Sequence, residues 1–182
     1  MNRKIDSKGF TLWFTGLSGA GKSTIADALV SKLREKGLKV ERLDGDIVRK
    51  SLTKDLGFSM EDRKTNIERV TFVAKLLTRN DVAVLLSFIS PSIKVRNQSR
   101  EEIGNFIEVF VKCSLQGCID RDVKGMYKKA IAGEIKDFTG IHDTAPYEEP
   151  PNPEIVLDTE KYTVEECVQQ VMDYLSKNSW ID

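Results

Sequence analysis

The stretch GLSGAGKS, residues 16–23, combines glycines with a lysine and a serine at a spacing that suits phosphate binding. It follows an apolar run and opens a helical pattern. Glycines allow backbone N–H groups to point inward around phosphates, Lys22 can reach the outer phosphates, and the Ser23 hydroxyl suits Mg²⁺. A glycine-rich turn without a ligand would explain neither Lys22 nor Ser23. The segment therefore predicts a P-loop that binds a nucleotide.

A second short segment, LDGDIVR, places Asp44 and Asp46 one glycine apart, and Arg49 follows three residues later. The strand after the first helix of such a fold ends beside the P-loop, so both carboxylates are predicted to face the nucleotide. Two close carboxylates repel each other, and Mg²⁺ together with Lys22 would offset that repulsion. A carboxylate can also orient or deprotonate the hydroxyl that attacks a phosphoryl group. The alternative is an exposed Asp-Gly turn.

The elements that must position these residues follow an alternating rhythm of short apolar runs and helical patterns. This rhythm predicts a single α/β domain over residues 1–182, with a three-layer P-loop fold and a mainly parallel sheet between helices. The predicted strands are 10–15, 39–43, 82–88, 106–113 and 154–157. The predicted helices are 22–36, 60–78, 92–102, 115–121 and 164–177. The third run is almost wholly apolar, which predicts a central strand.

Residues 121–153 break the rhythm, because they are dense in charge, contain three glycines and end near the stretch APYEEPPNP. They are too many for a plain connection, which predicts a mobile covering segment, partly helical, called the lid segment below. Its closure would keep water from competing for the γ-phosphoryl group of the nucleotide.

Charge and cysteine content argue against several classes of function. Lysine plus arginine and aspartate plus glutamate both total 28, so no overall positive field indicates a nucleic-acid partner. No apolar run approaches the roughly 20 residues of a membrane-spanning helix, and the start MNRKIDSKGF has no apolar signal core. We therefore expect a cytoplasmic protein without a membrane partner.

Cys113, Cys118 and Cys167 lack CxxC spacing and are predicted to be reduced core thiols, and Trp13 is predicted to lie in the core.

Six segments in a fixed order resemble the adenylylsulfate kinase family. They are GLSGAGKST, LDGDIVR, DLGFSMEDRKTNIERV, SFISP, RDVKGMYKKAIAGEIKDFTGI and PYEEPPNPEI, close to the family's spacing. The resemblance implies a kinase of sulfate assimilation that uses ATP and Mg²⁺ to phosphorylate the 3′-hydroxyl of adenosine 5′-phosphosulfate (APS). It also implies a homodimer, with ATP sulfurylase as a functional partner. Composition and periodicity alone reach only a P-loop phosphotransferase.

The resemblance also implies roles for individual residues. Asp46 would be the base or orienting group for the acceptor hydroxyl and, with Lys22 and Ser90, forms the implied catalytic set. Ser23 and Asp44 would support the metal ion. The residues implied in ATP binding are Gly16, Ser18, Gly19, Ala20, Gly21, Lys22, Ser23, Thr24 and Arg121. Those implied in APS binding are Asp46, Arg49, Phe58, Arg63, Asn66, Ile89, Ser90, Lys124, Phe138 and Thr139.

Several of these residues could instead have a purely structural role. Phe58 and Phe138 match two aromatic residues that clasp the acceptor's adenine in the family, since a flat base stacks on such rings, but each alone would be assigned to the core. Arg63 suits a phosphate or sulfate group because its fork offers two parallel N–H bonds, yet Arg63 and Asn66 also fit a solvated helix face. Ser90 matches a serine considered as a phosphorylated intermediate. Direct in-line transfer needs no covalent step, so a contact with the acceptor is favoured.

Three positions depart from the family pattern. Ser92 and Ile93 stand where a tyrosine and an arginine are usual, and Ile131 replaces an arginine of the lid segment. The lost arginines leave open a related P-loop kinase for another small nucleotide with a modified phosphate. A nucleotide-binding regulatory module without chemistry is a second alternative. His142, in a stretch two residues longer than the family's usual spacing, is predicted to lie in a surface loop.

Overall fold

The computed structural model describes residues 8–182. Within them, one sheet contains five strands in the order β2-β3-β1-β4-β5, and every neighbouring pair is parallel. The strands are β1 (Phe10–Thr15), β2 (Lys39–Asp44), β3 (Val82–Ser87), β4 (Phe106–Lys112) and β5 (Ile155–Asp158). The predicted α/β class and parallel sheet are therefore confirmed.

The middle of the sheet belongs to β1, so the prediction that the third strand is the central one is wrong. The strand β3 lies between β2 and β1. Both β1 and β3 are interior strands covered on both faces, and both are therefore almost wholly buried. Burial on both faces is common to these two strands, so apolar composition does not tell which of them lies at the centre of the sheet.

Helices cover both faces of the sheet. They are α1 (Lys22–Glu35), α2 (Gly45–Lys50), α3 (Met60–Thr78), α4 (Ile93–Ile103), α5 (Leu115–Arg121), α6 (Met126–Ile131) and α7 (Val164–Lys177). Five of them agree with the predicted helices to within one residue at each end. Across residues 8–182, none has the length and apolar character that crossing a bilayer requires.

The short helix α2 was not predicted, and it changes the interpretation of the two aspartates. The Asp44 side chain accepts a hydrogen bond from the Asp46 backbone N–H, which makes Asp44 the N-cap of α2. Asp46 lies in the first turn, where a negative charge favours the helix dipole. The segment is therefore a helix start at the end of β2, and the alternative of a plain exposed turn is wrong.

The core consists of two hydrophobic clusters, one on each face of the sheet. Leu12 and Phe14 of β1 pack with Leu29 of α1, whereas Trp13 packs with Val70 of α3. Successive side chains of a strand point to opposite faces, which accounts for this division. The predicted core position of Trp13 is confirmed, and the three cysteines are free and buried as predicted. Burial raises the pKa of the Cys118 thiol to about 12, so it stays protonated.

The parallel arrangement brings the ends of three strands to one edge of the sheet. The P-loop follows β1, Asp44 ends β2 and Ser87 ends β3. In the strand register, Ser87 pairs with Phe14 of β1 on one side and with Asp44 on the other. This is the edge at which open α/β sheets bind their ligands.

A buried ion network fixes the loop that follows β3. Arg96 of α4 is 2% exposed and donates hydrogen bonds to the Glu108 carboxylate of β4 (2.7 Å) and to the carbonyl oxygens of Ser90 (2.6 Å) and Glu148 (2.8 Å). Arg96 thus holds the loop after β3 and the end of the lid segment against β4. Charged groups are seldom buried without such a partner.

We expect Glu108→Ala to lower the free energy of unfolding by about 3–5 kcal/mol, because it leaves the buried Arg96 guanidinium without its carboxylate. Urea denaturation followed by circular dichroism measures the change. Glu101→Ala, on the exposed face of α4, is the control and should cost less than about 0.5 kcal/mol. Similar losses in the two variants would contradict the role assigned to the buried pair.

Candidate active site

The P-loop, residues 16–21, joins β1 to α1 and brings all the residues predicted to bind ATP except Arg121 into one loop and one helical turn. Gly16 approaches β4 so closely that a Cβ atom there would lie 2.4 Å from the Val111 carbonyl oxygen. Gly21 precedes α1 in a left-handed conformation, and no side chain caps that helix. The first-turn N–H groups of α1 are therefore available to anionic oxygens.

Lys22 lies in the first turn of α1 with its side chain buried. Its Nζ donates hydrogen bonds to the carbonyl oxygens of Gly16 (2.9 Å) and Leu17 (2.7 Å). Burial lowers the pKa of Lys22 to about 8, because a desolvated ammonium group is less stable than a neutral amine. An anionic phosphate beside Lys22 would favour the charged form again.

Ser23 and Asp44 meet at the edge of the sheet. The Ser23 Oγ donates to Asp44 Oδ2 (2.7 Å), and an Arg42 nitrogen donates to the same oxygen (3.1 Å). Burial alone would raise the pKa of Asp44, but the hydrogen bonds from Ser23 and the Asp46 N–H, with the charges of Arg42 and Lys124, lower it overall. A hydroxyl and an ionised carboxylate in contact are oxygen ligands of the kind that Mg²⁺ prefers.

Asp46 contacts the lid segment directly. Its carboxylate lies 2.5 Å from the Lys124 Nζ, and the two side chains are 67% and 53% exposed. The ion pair brings together two residues that the sequence predicted for the acceptor site. It also ties the start of α2 to the segment between α5 and α6.

Two arginines surround Phe58. The Arg49 guanidinium lies 4.3 Å from the centre of the Phe58 ring, and Arg49 also donates to the Gly57 carbonyl oxygen (2.9 Å). Burial lowers the pKa of Arg49 and of Arg63, and the nearby charge of Arg49 lowers that of Arg63 further. Two close cations favour an anionic ligand between or beside them.

Arg63 links α3 to the lid segment. Its three nitrogens donate to the carbonyl oxygen of Phe58 (2.9 Å), to the Thr139 hydroxyl (2.8 Å) and to the Asp137 carbonyl oxygen (2.6 Å). The predicted alternative, a solvated helix face, is wrong for Asn66, which is 4% exposed and accepts a hydrogen bond from the Thr53 hydroxyl (2.7 Å).

The two predicted aromatic residues lie in different surroundings. Phe58 is 66% exposed, whereas Phe138 is buried in the core with its ring in an edge contact to Tyr127 at 5.0 Å. The Tyr127 hydroxyl donates to the Ser18 carbonyl oxygen of the P-loop (2.8 Å). His142 lies in a loop as predicted, but it is half-buried, and its Nδ1 accepts a hydrogen bond from the Phe138 N–H (3.0 Å).

Ser90 and Ile89 follow β3 at the same edge of the sheet. Ser90 is 3% exposed with a φ of 39°, a value that residues other than glycine rarely adopt, and such strain clusters at functional sites. Its Oγ accepts a hydrogen bond from the Trp13 indole N–H (2.9 Å). The Ile89 carbonyl oxygen accepts one from the Thr15 hydroxyl (2.7 Å). Both loop residues are therefore held by β1.

Arg121 reaches the P-loop through a second residue. It donates to the hydroxyl (2.9 Å) and the carbonyl oxygen (2.6 Å) of Thr159, and the Thr159 hydroxyl lies 2.9 Å from the Ala20 carbonyl oxygen. Sequence reasoning missed Thr159 and Tyr127. Thr159 directly follows β5, so its place at the carboxyl edge of the sheet could have identified it. No local signal distinguishes Tyr127 from an ordinary helix residue.

A family model described as adenylylsulphate kinase matches residues 8–158. The chain belongs to the adenylylsulphate kinase family. The matched range contains the P-loop, both aspartates and the whole lid segment.

Curated relatives agree with this chain along most of its length. It is 66% identical to a probable adenylyl-sulfate kinase of Pseudomonas aeruginosa over 92% of this chain and 78% of that protein. It is 58% identical to the adenylyl-sulfate kinase of Halothermothrix orenii over 97% and 95% of the two chains.

Solved structures show the same relationship. The APS kinase of Mycobacterium tuberculosis, in complex with AMPPNP and APS, is 45% identical with a TM-score of 0.88 over 93% of this chain and 99% of that one. A hexameric APS kinase of Thiobacillus denitrificans is 34% identical with a TM-score of 0.73, over 98% of this chain and 31% of that one. A gluconokinase of Sinorhizobium meliloti, 18% identical with a TM-score of 0.59, shares the fold alone.

We expect Arg63→Met to speed amide hydrogen exchange of residues 138–145 by roughly 10- to 100-fold. Hydrogen bonds to a charged group contribute about 1.5–3 kcal/mol each, and this change removes those that hold the lid segment to α3. Exchange followed by mass spectrometry measures the rates.

Arg69→Met is the matched control, because Arg69 lies on the same helix but pairs with Asp55 outside the lid segment. Its effect on residues 138–145 should be less than about twofold. Equal acceleration in both variants would mean that Arg63 does not anchor the lid segment.

Proposed function

We propose that this kinase transfers the γ-phosphoryl group of ATP to the 3′-hydroxyl of APS, which yields 3′-phosphoadenosine 5′-phosphosulfate and ADP. The observation that carries the proposal is the contact between Ser23 and Asp44, because it joins the helix that follows the P-loop to the end of β2, from which α2 starts with Asp46 in its first turn. The identities to curated adenylyl-sulfate kinases and to the Mycobacterium tuberculosis enzyme that holds AMPPNP and APS support the choice of substrates.

The donor side would bind the ATP phosphates through backbone N–H groups. The uncapped start of α1 and the loop of residues 16–21 supply these groups, and Lys22 adds a cation at the outer phosphates. Ser23 and Asp44 would hold Mg²⁺, since a hydroxyl beside an ionised carboxylate fits the oxygen preference of that ion. When bound, Mg²⁺ offsets the negative charge of the phosphates. Arg121 would support this side through Thr159.

The reacting hydroxyl would meet Asp46. Its carboxylate can accept a hydrogen bond from the 3′-hydroxyl and take its proton as the bond to phosphorus forms, while ADP leaves in line. Lys124 contacts this carboxylate and so positions it relative to the lid segment. No covalent enzyme intermediate is required, and Ser90 serves as a contact for the acceptor.

The acceptor side would bind an anionic nucleotide. Arg49 and Arg63 supply two neighbouring cations for the phosphosulfate, and Phe58 offers an exposed ring to the adenine. Phe138 belongs to the predicted clasp as well, and its part requires the ring to move away from Tyr127. Ile89, Ser90, Asn66 and Thr139 complete the proposed acceptor set.

A homodimer and an ATP sulfurylase that supplies APS are part of the proposal, as are a cytoplasmic setting and one kinase domain with residues 121–153 as its lid. The hexameric relative from Thiobacillus denitrificans shows that assembly occurs in this family. Light scattering tests the dimer, which should have twice the 20.5 kDa mass of one chain.

We expect ADP release to depend on APS when ATP and Mg²⁺ are present, measured in a coupled assay with APS, with other nucleotides and without an acceptor. The departures at Ser92, Ile93 and Ile131 would then be tolerated changes. Turnover with another nucleotide alone would favour the related kinase instead, and no turnover with any acceptor would favour a binding module.

We expect Asp46→Asn to lower kcat by a factor of about 100 or more, because the amide cannot take the acceptor proton. The ATP dissociation constant, measured by calorimetry, should change by less than about threefold, since the P-loop is intact. Asp173→Asn, on α7, is the control and should retain normal kcat. A normal kcat in Asp46→Asn would rule out the assigned role.

A further inference from the structure

The hydroxyl of Ser87 is a buried polar group without a partner. The residue is 5% exposed, and among residues 8–182 its Oγ is the buried side-chain oxygen for which no hydrogen-bond partner is found. Leaving a buried hydroxyl unpaired costs about 1–3 kcal/mol. An unpaired buried group of this kind needs a specific explanation, and a common one is that the group bonds to a water or an ion.

The hydroxyl points toward the face of the sheet that α1 covers. Ser87 ends β3 in register with Asp44, and register partners on neighbouring strands project to the same face. Leu85, two residues before Ser87, packs in the cluster that contains α1. Arg42, two residues before Asp44, pairs with Asp27 of α1. Both strand ends therefore present their side chains to the P-loop helix.

Three oxygen-bearing side chains converge at this point from three different elements. Ser23 of α1 already contacts Asp44 of β2. Ser87 of β3 is the register partner of Asp44, and no direct hydrogen bond joins the two side chains. One water between the Ser87 hydroxyl and the Asp44 carboxylate would satisfy the unpaired group.

We propose that Ser87 belongs to the Mg²⁺ site of this kinase and accepts a hydrogen bond from a water bound to the metal ion. The inference rests on the proposed function, which places Mg²⁺ at Ser23 and Asp44. Mg²⁺ gives up its waters reluctantly and keeps several of them, and those waters need acceptors on the protein. Ser87 supplies such an acceptor from the interior of the sheet, on the side away from the solvent.

A buried structural water is the competing explanation, and it makes a different prediction. A structural water would satisfy Ser87 whether or not metal and nucleotide are present. Removing the hydroxyl would then affect the stability of the fold and leave the metal dependence of nucleotide binding unchanged.

The experiment is a comparison of wild-type protein and Ser87→Ala by calorimetry of ATP binding, with Mg²⁺ and with a chelator. We expect the variant to bind ATP about tenfold more weakly when Mg²⁺ is present, because outer partners of a metal contribute at least that much to its affinity. Without metal, the two proteins should agree within about twofold. Electron paramagnetic resonance of Mn²⁺ bound with ADP gives a direct second measure of metal affinity.

Ser99→Ala is the matched control, because Ser99 is also a buried serine but bonds to Thr71 between α3 and α4, away from the P-loop. It should leave the metal dependence of ATP binding unchanged. An unchanged dependence in Ser87→Ala, or an equal change in both variants, would overturn the inference.

The proposed function is tested separately by turnover of APS in the wild-type protein. Turnover in the wild type with no metal effect of Ser87→Ala would reject the inference and keep the function. Loss of APS turnover or of metal-dependent ATP binding in the wild type would reject both. The variant removes an unpaired hydroxyl, so we expect its melting temperature without metal to equal or exceed that of the wild type.

Discussion

The hydrogen bond between Ser23 and Asp44 is the contact on which the rest of the site depends. It joins the P-loop helix to the end of β2, and the same carboxylate caps α2 by accepting the Asp46 N–H. The Asp44 side chain therefore fixes the P-loop helix against the end of β2. It also fixes the start of α2 and, with it, the direction in which Asp46 points. The two aspartates, one glycine apart, therefore have different contacts: Asp44 bonds to Ser23 and caps α2, whereas Asp46 pairs with Lys124 and is the proposed partner of the acceptor hydroxyl.

Polar contacts attach the lid segment to the P-loop and to residues of the proposed acceptor site. Lys124 contacts Asp46, Tyr127 reaches the Ser18 carbonyl oxygen of the P-loop, and Arg63 holds the stretch around Thr139. Two of these three contacts involve exposed or half-exposed charges, which solvent and bound anions can replace at little cost. Such an attachment would allow the segment to open for binding and release, as the proposed function requires.

Much of the fold follows from the sequence, because parallel strands covered on both faces appear as continuous apolar runs between helical patterns. The order of β1 and β3 does not, since pairing between strands leaves no local trace. The helix α2 is short enough to lack periodicity, and its cap emerges only from the contact between Asp44 and the Asp46 N–H. The charged neighbourhood of Phe138 in the sequence hid its burial, because Tyr127, whose ring contacts it, lies outside that stretch in α6.

Hydrogen bonds from β1 hold the loop after β3. The same strand therefore supports both the P-loop and the loop that is proposed to contact the acceptor. The strand β1 leads into the P-loop. Its Trp13 indole N–H donates a hydrogen bond to the Ser90 Oγ, and its Thr15 hydroxyl donates one to the Ile89 carbonyl oxygen. A displacement of β1 by repacking of the core would therefore carry the donor and acceptor loops in the same direction. Under the proposed function, this coupled movement would help to preserve the distance between the ATP phosphates and the acceptor hydroxyl when the core is repacked.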